Sequence, residues 1–163
     1  MPMDHAPFQL LAARRFLPLF LTQFLDALDA NLFKQALVVL IAYRLAGQSG
    51  IDGDILVTVA AGLFILPYFL FSATAGQIAD KVEKSRLIRS LQIIQVGIMG
   101  LAVAGFVLER PWFLIAVLFL MGTQSAFFGP LKYSILPDHL RPEELVAGNA
   151  LIEGGTFLAV LIG

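Results

Sequence analysis

Cysteine is absent from these 163 residues, and charge is scarce: only 14% of them are Asp, Glu, Lys or Arg. Without a thiol there is no disulfide framework, no thiol chemistry and no thiolate metal site. A soluble domain carries about 25% charged residues, so the shortage of charge excludes an ordinary soluble globule. Histidine is limited to His5 and His139, both outside the apolar runs and read as solvated. No cleavable signal peptide is expected either. Arg14 and Arg15 do precede an apolar run, but that run is too long for a signal core and has no small-residue cleavage site. The net charge of −1 says nothing about partners, because the placement of charge matters here more than its sum.

What the chain has in abundance is apolar surface, with 58% hydrophobic residues and a mean hydropathy of +0.83. These values predict an all-α, polytopic transmembrane helix bundle. Fourteen Phe supply lipid-facing bulk and fourteen Gly allow close helix contacts. A spanning helix needs about 20 mostly apolar residues, and complete segments of that kind occur at about 16–43, 54–79, 87–108 and 111–136. A fifth, 145–163, is still apolar where the sequence stops, so a fragment of a longer protein is expected. Residues 1–15 read as a short N-terminal extension ahead of a bundle over 16–163.

The connections carry their own signals. Arg44 to Asp54 is rich in Gly, Ser and Asp and reads as a turn-forming loop. Asp80 to Arg86 forms a charged hinge, Glu109-Arg110-Pro111 a minimal turn into the fourth helix, and Pro142-Glu143-Glu144 a helix start. Arg14, Arg15, Lys81, Lys84, Arg86, Arg89, Lys132 and Arg141 flank one side of the membrane, against Arg44 and Arg110 on the other. The excess places the N-terminus and the 80–86 loop in the cytoplasm. Pro67 and Gly129-Pro130 fall inside spans, as ordinary kinks or as bends that open a cavity. Gly97, Gly100 and Gly105 are expected at close helix contacts.

The first span is the unusual one, because Asp26, Asp29, Asn31, Lys34 and Gln35 all lie within it. An ionisable group at the centre of a spanning helix costs roughly 2.5–3.5 kcal/mol even on a lenient insertion scale. These side chains are therefore expected to line a polar path rather than face lipid, with internal salt bridges as the other reading. With Gln23 set at zero, Lys34 falls at ~20°, Asn31 at ~80°, Gln35 at ~120°, Asp29 at ~240° and Asp26 at ~300° around the axis. So wide a polar arc needs a water-filled cavity or polar neighbours.

Two further stretches stand out. In Gly76-Gln-Ile-Ala-Asp80-Lys81-Val-Glu-Lys84-Ser-Arg86, Gly76 would allow close helix approach and Asp80 would cap or pair across a helix end. The basic residues would hold the loop at the anionic leaflet. In Phe127-Phe-Gly-Pro-Leu-Lys132-Tyr133, Lys132 either snorkels to the interface or serves as a cation for a phosphate. Tyr133 adds a hydroxyl to that site or belongs to the interfacial aromatic belt.

The 76–86 loop resembles the signature loop of the major facilitator superfamily, although Glu83 stands where a second glycine is usual. Together with Gln23-Phe-Leu, Asn31-Leu-Phe-Lys-Gln35, the 127–133 string and Asn149-Ala-Leu-Ile-Glu153, it is similar to the bacterial lysophospholipid transporter branch of that superfamily. The resemblance implies the N-terminal part of a 12-helix fold in the inner membrane, with helices one and four lining a central cavity. It also implies movement of lysophosphatidylethanolamine by alternating access, the partners being the bilayer, the lysophospholipid or another small amphiphile, and a fused or associated acyltransferase. The branch places an acid immediately before the asparagine of the first helix, where this chain has Ala30. Asp26 is expected to supply that carboxylate and to hold the ethanolamine ammonium, with Lys132 on the phosphate. Glu153 is expected to pair with a basic residue from a further helix. Transport of another solute and the membrane part of an acyltransferase–ligase fusion are the alternatives. No His-x4-Asp box or phosphate-binding glycine loop is present, so the chain itself does not read as an enzyme. No metal, nucleotide or redox cofactor and no nucleic-acid partner is implied.

Overall fold

The computed structural model describes residues 8–41 and 53–163. Tyr43, His5 and most of the 44–54 loop with its Arg44 lie outside the described residues. Within them the chain is all-α, with no strand. The helices are α1 (Phe8–Leu11), α2 (Leu17–Leu40), α3 (Gly53–Lys81), α4 (Lys84–Val107), α5 (Pro111–Ser134), α6 (Leu136–His139) and α7 (Leu145–Ile162). A 3-10 turn, Pro142–Glu144, leads into α7.

Among the described residues, four helical stretches are long and apolar enough to cross a membrane: Gly53–Lys81, Lys84–Val107, Pro111–Ser134 and Pro142–Ile162. α2 matches them with 24 residues, about 36 Å at 1.5 Å per residue, but it carries the three charges of its interior. Much apolar bulk points outward, including Phe69, Ile93, Val107 and Leu161. That is expected where the surrounding solvent is lipid.

α3 and α4 continue past the apolar runs that announce them. α3 spans 29 residues with Asp54 in its first turn and Lys81 in its last, each placed to complement the helix dipole. The charged hinge therefore shrinks to Val82 and Glu83, and Asp80, Lys81, Lys84 and Arg86 lie in terminal helical turns. Hydropathy falls there before backbone hydrogen bonding does, because the ends reach the polar headgroup layer. Both α3 and α5 continue through their internal prolines, Pro67 and Pro130.

The α4–α5 connection is a Schellman turn. The Arg110 N–H donates to the Gly105 carbonyl and the Glu109 N–H to the Phe106 carbonyl, each at 3.2 Å. Glu109 adopts φ 50°, the left-handed position that glycine usually fills. Pro111 then opens α5, where its missing N–H is no loss.

Two compact units are formed, one by the described residues up to Leu32 together with Lys132–Gly163, the other by Phe33–Leu131. In the first unit α7 lies close against α2. A methyl on Gly155 would meet the Phe20 ring at 2.6 Å, and one on Gly163 would meet the Leu28 carbonyl at 2.9 Å. Gly148 sits against Leu140 and Phe16 in the same way. Arg15 Nη2 donates to both carboxylate oxygens of Glu144, at 2.6 and 2.8 Å. Glu144 in turn accepts from the Arg141 N–H at 2.9 Å, closing the turn before α7.

In the second unit α5 is the inner helix, with 56% of its apolar stretch buried against 17% for α3. Gly122 lets α5 lie directly on the α3 backbone at Phe64. Phe71 stacks on Phe127 at 6.0 Å between the same helices. Ala79, Leu91, Phe128 and Leu131 join α3, α4 and α5 in one apolar cluster. Phe33 of α2 meets Phe106 of α4 edge-on at 5.7 Å.

The glycines expected at close contacts divide. Gly105 is tight against Leu114 and Phe113, but nothing lies within 4 Å of the space a methyl would take at Gly76, Gly97 or Gly100. Gly97 and Gly100 are exposed on α4, on a face where no helix of the described residues presses. Gly122, Gly148 and Gly155 make the approaches instead.

Candidate functional site

The last turn of α5 and the middle of α7 build one polar cluster in the first unit. Lys132 and Tyr133 are adjacent at the end of α5, and Glu153 lies eight residues into α7. Lys132 Nζ is 3.0 Å from Glu153 Oε1. The Tyr133 hydroxyl donates to the same oxygen at 2.6 Å, and Lys132 Nζ sits 5.0 Å from the Tyr133 ring centroid. One carboxylate oxygen thus serves two donors, both in charge-assisted contacts. The Lys132 side chain is 14% exposed and that of Glu153 39%, so the cation is the better shielded member.

This corrects the expectation for Glu153, which finds its basic partner on α5 within the chain. It also changes what Lys132 and Tyr133 offer a ligand. A phosphate arriving at Lys132 must compete with a carboxylate already in place, and the Tyr133 hydroxyl is engaged by that carboxylate as well.

The first-helix residues are split between the units. Asp26, Asp29 and Asn31 belong to the first, and all three are half-buried. Asn31 folds back on its own helix, its Nδ2 donating to the Ala27 carbonyl at 2.8 Å. Gln23 is buried, and its amide nitrogen has no hydrogen-bond partner among the described residues. Ala30 is buried as well, which places the missing acid's position on an inward face.

Lys34 and Gln35 belong to the second unit. Gln35 is exposed. Lys34 lines a cavity of about 330 Å³ formed with α3 and α5, and its ammonium lies 4.7 Å from the Phe64 ring centroid. Phe64 was not foreseen from the sequence, and 30 residues separate it from Lys34. A phenylalanine in an apolar helix carries no mark of which charge it will face.

In the 76–86 stretch, Gly76 and Lys84 are half-buried, while Asp80, Lys81 and Arg86 are exposed. Arg86 Nε pairs with Glu83, the residue standing in place of the second glycine, at 2.8 Å across one exposed turn. Among the described residues there is no group of His, Cys, Asp and Glu arranged to hold a metal ion.

The family described as transmembrane secretion effectors matches residues 30–163. The chain belongs to this family of the major facilitator superfamily. It is similar to proteins named lysophospholipid transporter LplT. The Klebsiella pneumoniae protein is 31% identical over 104 residues, covering 62% of this chain and 24% of that protein. The Cronobacter sakazakii protein is 27% identical over 169 residues, covering 100% of this chain and 38% of that protein. The Salmonella newport protein is 33% identical over 101 residues, covering 62% of this chain and 24% of that protein. The chain therefore spans 24% to 38% of the length of these curated relatives. No solved structure matches it. Family and helices together make this a multi-pass membrane protein.

Proposed function

We propose that the chain supplies part of the substrate path of a secondary transporter that carries lysophospholipids across a bacterial inner membrane by alternating access. One observation carries the reading: α2, of membrane-spanning length, holds Asp26, Asp29 and Lys34 half-buried along a largely apolar helix. Groups of that kind mark a substrate or ion pathway. The names of the similar proteins supply the solute.

An amphiphile with a phosphate and an ammonium needs charges of both signs beside apolar walls. Asp26 is half-buried, and it remains the proposed partner of the ammonium in place of the acid absent at Ala30. Lys34, in the second unit, is proposed as a separate phosphate contact along the path, because Lys132 already faces Glu153 at 3.0 Å. Lys132 and Tyr133 act as a charge-paired contact between α5 and α7 that a passing head group can exchange with. The N-terminus and the 80–86 turn are assigned to the cytoplasm, a reading that the excess of Lys and Arg on that side supports.

The experiment is lysophosphatidylethanolamine flipping by the complete protein in vesicles. Wild-type protein moves the lipid and Asp26→Asn slows it at least about tenfold, the loss of a charge-assisted contact. Wild-type transport with no lipid specificity refutes the proposal. Unchanged flipping in Asp26→Asn together with its loss in Asp29→Asn refutes the assignment of the acid. Export of another solute is the second reading, favoured by the description of the matching family as secretion effectors. It predicts outward movement of a drug or organic anion and no flipping.

A further inference from the structure

The cavity beside Lys34 is lined by α3 residues Val57, Ala60, Phe64 and Ile65 and by Leu118 of α5, all apolar, with Lys34 as the charged member of the lining. Among the described residues no carboxylate pairs with Lys34. Its ammonium instead rests over the Phe64 ring at 4.7 Å. An aromatic face offsets only part of the cost of withdrawing a cation from water. A half-buried ammonium at the wall of an apolar cleft therefore attracts an anion that brings its own apolar body.

The size of the cleft narrows the ligand further. Its volume of about 330 Å³ stands at the low end of small-molecule sites, roughly 300–1,000 Å³. That leaves room for one anionic group and the first part of an alkyl chain. The lining shows no carboxylate to hold an ammonium at the same point. We infer that Lys34, Phe64 and the apolar walls of this cavity form a binding site for the anionic group and adjoining methylenes of a single-chain amphiphile. This rests on the transporter reading and names the end of the substrate that the second unit holds.

The test uses the complete purified protein in nanodiscs with three probes: lysophosphatidylethanolamine, palmitate and chain-free glycerophosphoethanolamine. Lysophosphatidylethanolamine, palmitate or both bind, which distinguishes a phosphate from a carboxylate head, and the chain-free head does not. Lys34→Gln weakens the bound probe at least about tenfold, Lys34→Arg restores it, and Ala61→Phe, at a further lining position on α3, weakens it by filling the cleft. A series of shorter chains loses about fourfold in affinity per methylene withdrawn from the cleft. A diazirine placed on the chain near the head labels Val57, Ala60 or Phe64. Wild-type affinity in Lys34→Gln, or labelling confined to other helices, overturns the site. Vesicle flipping is followed separately. Flipping that persists while labelling falls elsewhere refutes this site and leaves the transporter reading standing. Cleft labelling without flipping upholds the site and refutes the transporter reading.

Discussion

Substituting Gly122 by alanine tests how α5 is held against α3. The added methyl would overlap the Phe64 carbonyl oxygen and come within 3.2 Å of the Phe64 carbonyl carbon. Both are backbone atoms, so no rotamer change relieves the overlap and the helices must separate. Overpacking of this kind costs about 1–3 kcal/mol. Replacing glycine by alanine in a helix also brings a gain of about 0.5–1 kcal/mol, which obscures the contact if Gly122→Ala is measured alone. Gly97→Ala supplies the control, since nothing lies within 4 Å of a methyl there. The backbone term is common to both, so the difference between the two variants isolates the contact. Gly122→Ala should be less stable than Gly97→Ala by about 1–3 kcal/mol. Helicity followed by circular dichroism during titration of the detergent-solubilised protein with SDS gives both midpoints. Equal midpoints would mean that α5 does not touch the α3 backbone and would remove the basis for the cavity beside Phe64.

Further outcomes follow from other contacts. Glu109→Gly relieves a left-handed residue that costs about 1–2 kcal/mol and should raise the same midpoint, less the extra flexibility of glycine in the unfolded chain. In a double-mutant cycle, Lys132→Met and Glu153→Gln should show a coupling of about 1 kcal/mol, given the partial exposure of Glu153; strict additivity would mean that the pair contributes nothing. Tyr133→Phe should reduce that coupling by removing the second donor to Glu153, and an unchanged coupling would show that the hydroxyl is idle. These residues contain no cysteine, so a thiol introduced among them is unique within this stretch and reports its orientation. Ser85→Cys should react with a membrane-impermeant maleimide only from the cytoplasmic side, and Arg110→Cys only from the opposite one.

The helices were legible because lipid imposes a simple rule, about 20 apolar residues between polar ends. Pro111 and Pro142 marked starts, and the Asp80–Arg86 cluster marked a turn. The exact ends were hidden, since Asp80 and Lys84 are polar yet helical. Angles around a single helix could rank Asp26, Asp29 and Lys34 by direction but could not say what each would meet. That depends on neighbours far along the chain. Glu153 lies 21 residues beyond Lys132, and its oxygen is shared with Tyr133 only because α7 returns past the end of α5. Among the glycines, composition announced close packing, but the partner surface decided which ones take part. Gly122 faces backbone, whereas Gly97 faces outward.

The connectors of the second unit set a limit on how its helices can part. Val82 and Glu83 alone separate α3 from α4, and Leu108 to Arg110 alone separate α4 from α5. At about 3.3–3.6 Å per extended residue, neither leash has slack for independent excursions. α4 is tied at one end to α3 and at the other to α5, so any large displacement of one member drags the next with it. Within Phe33–Leu131, then, the three long helices travel as a convoy.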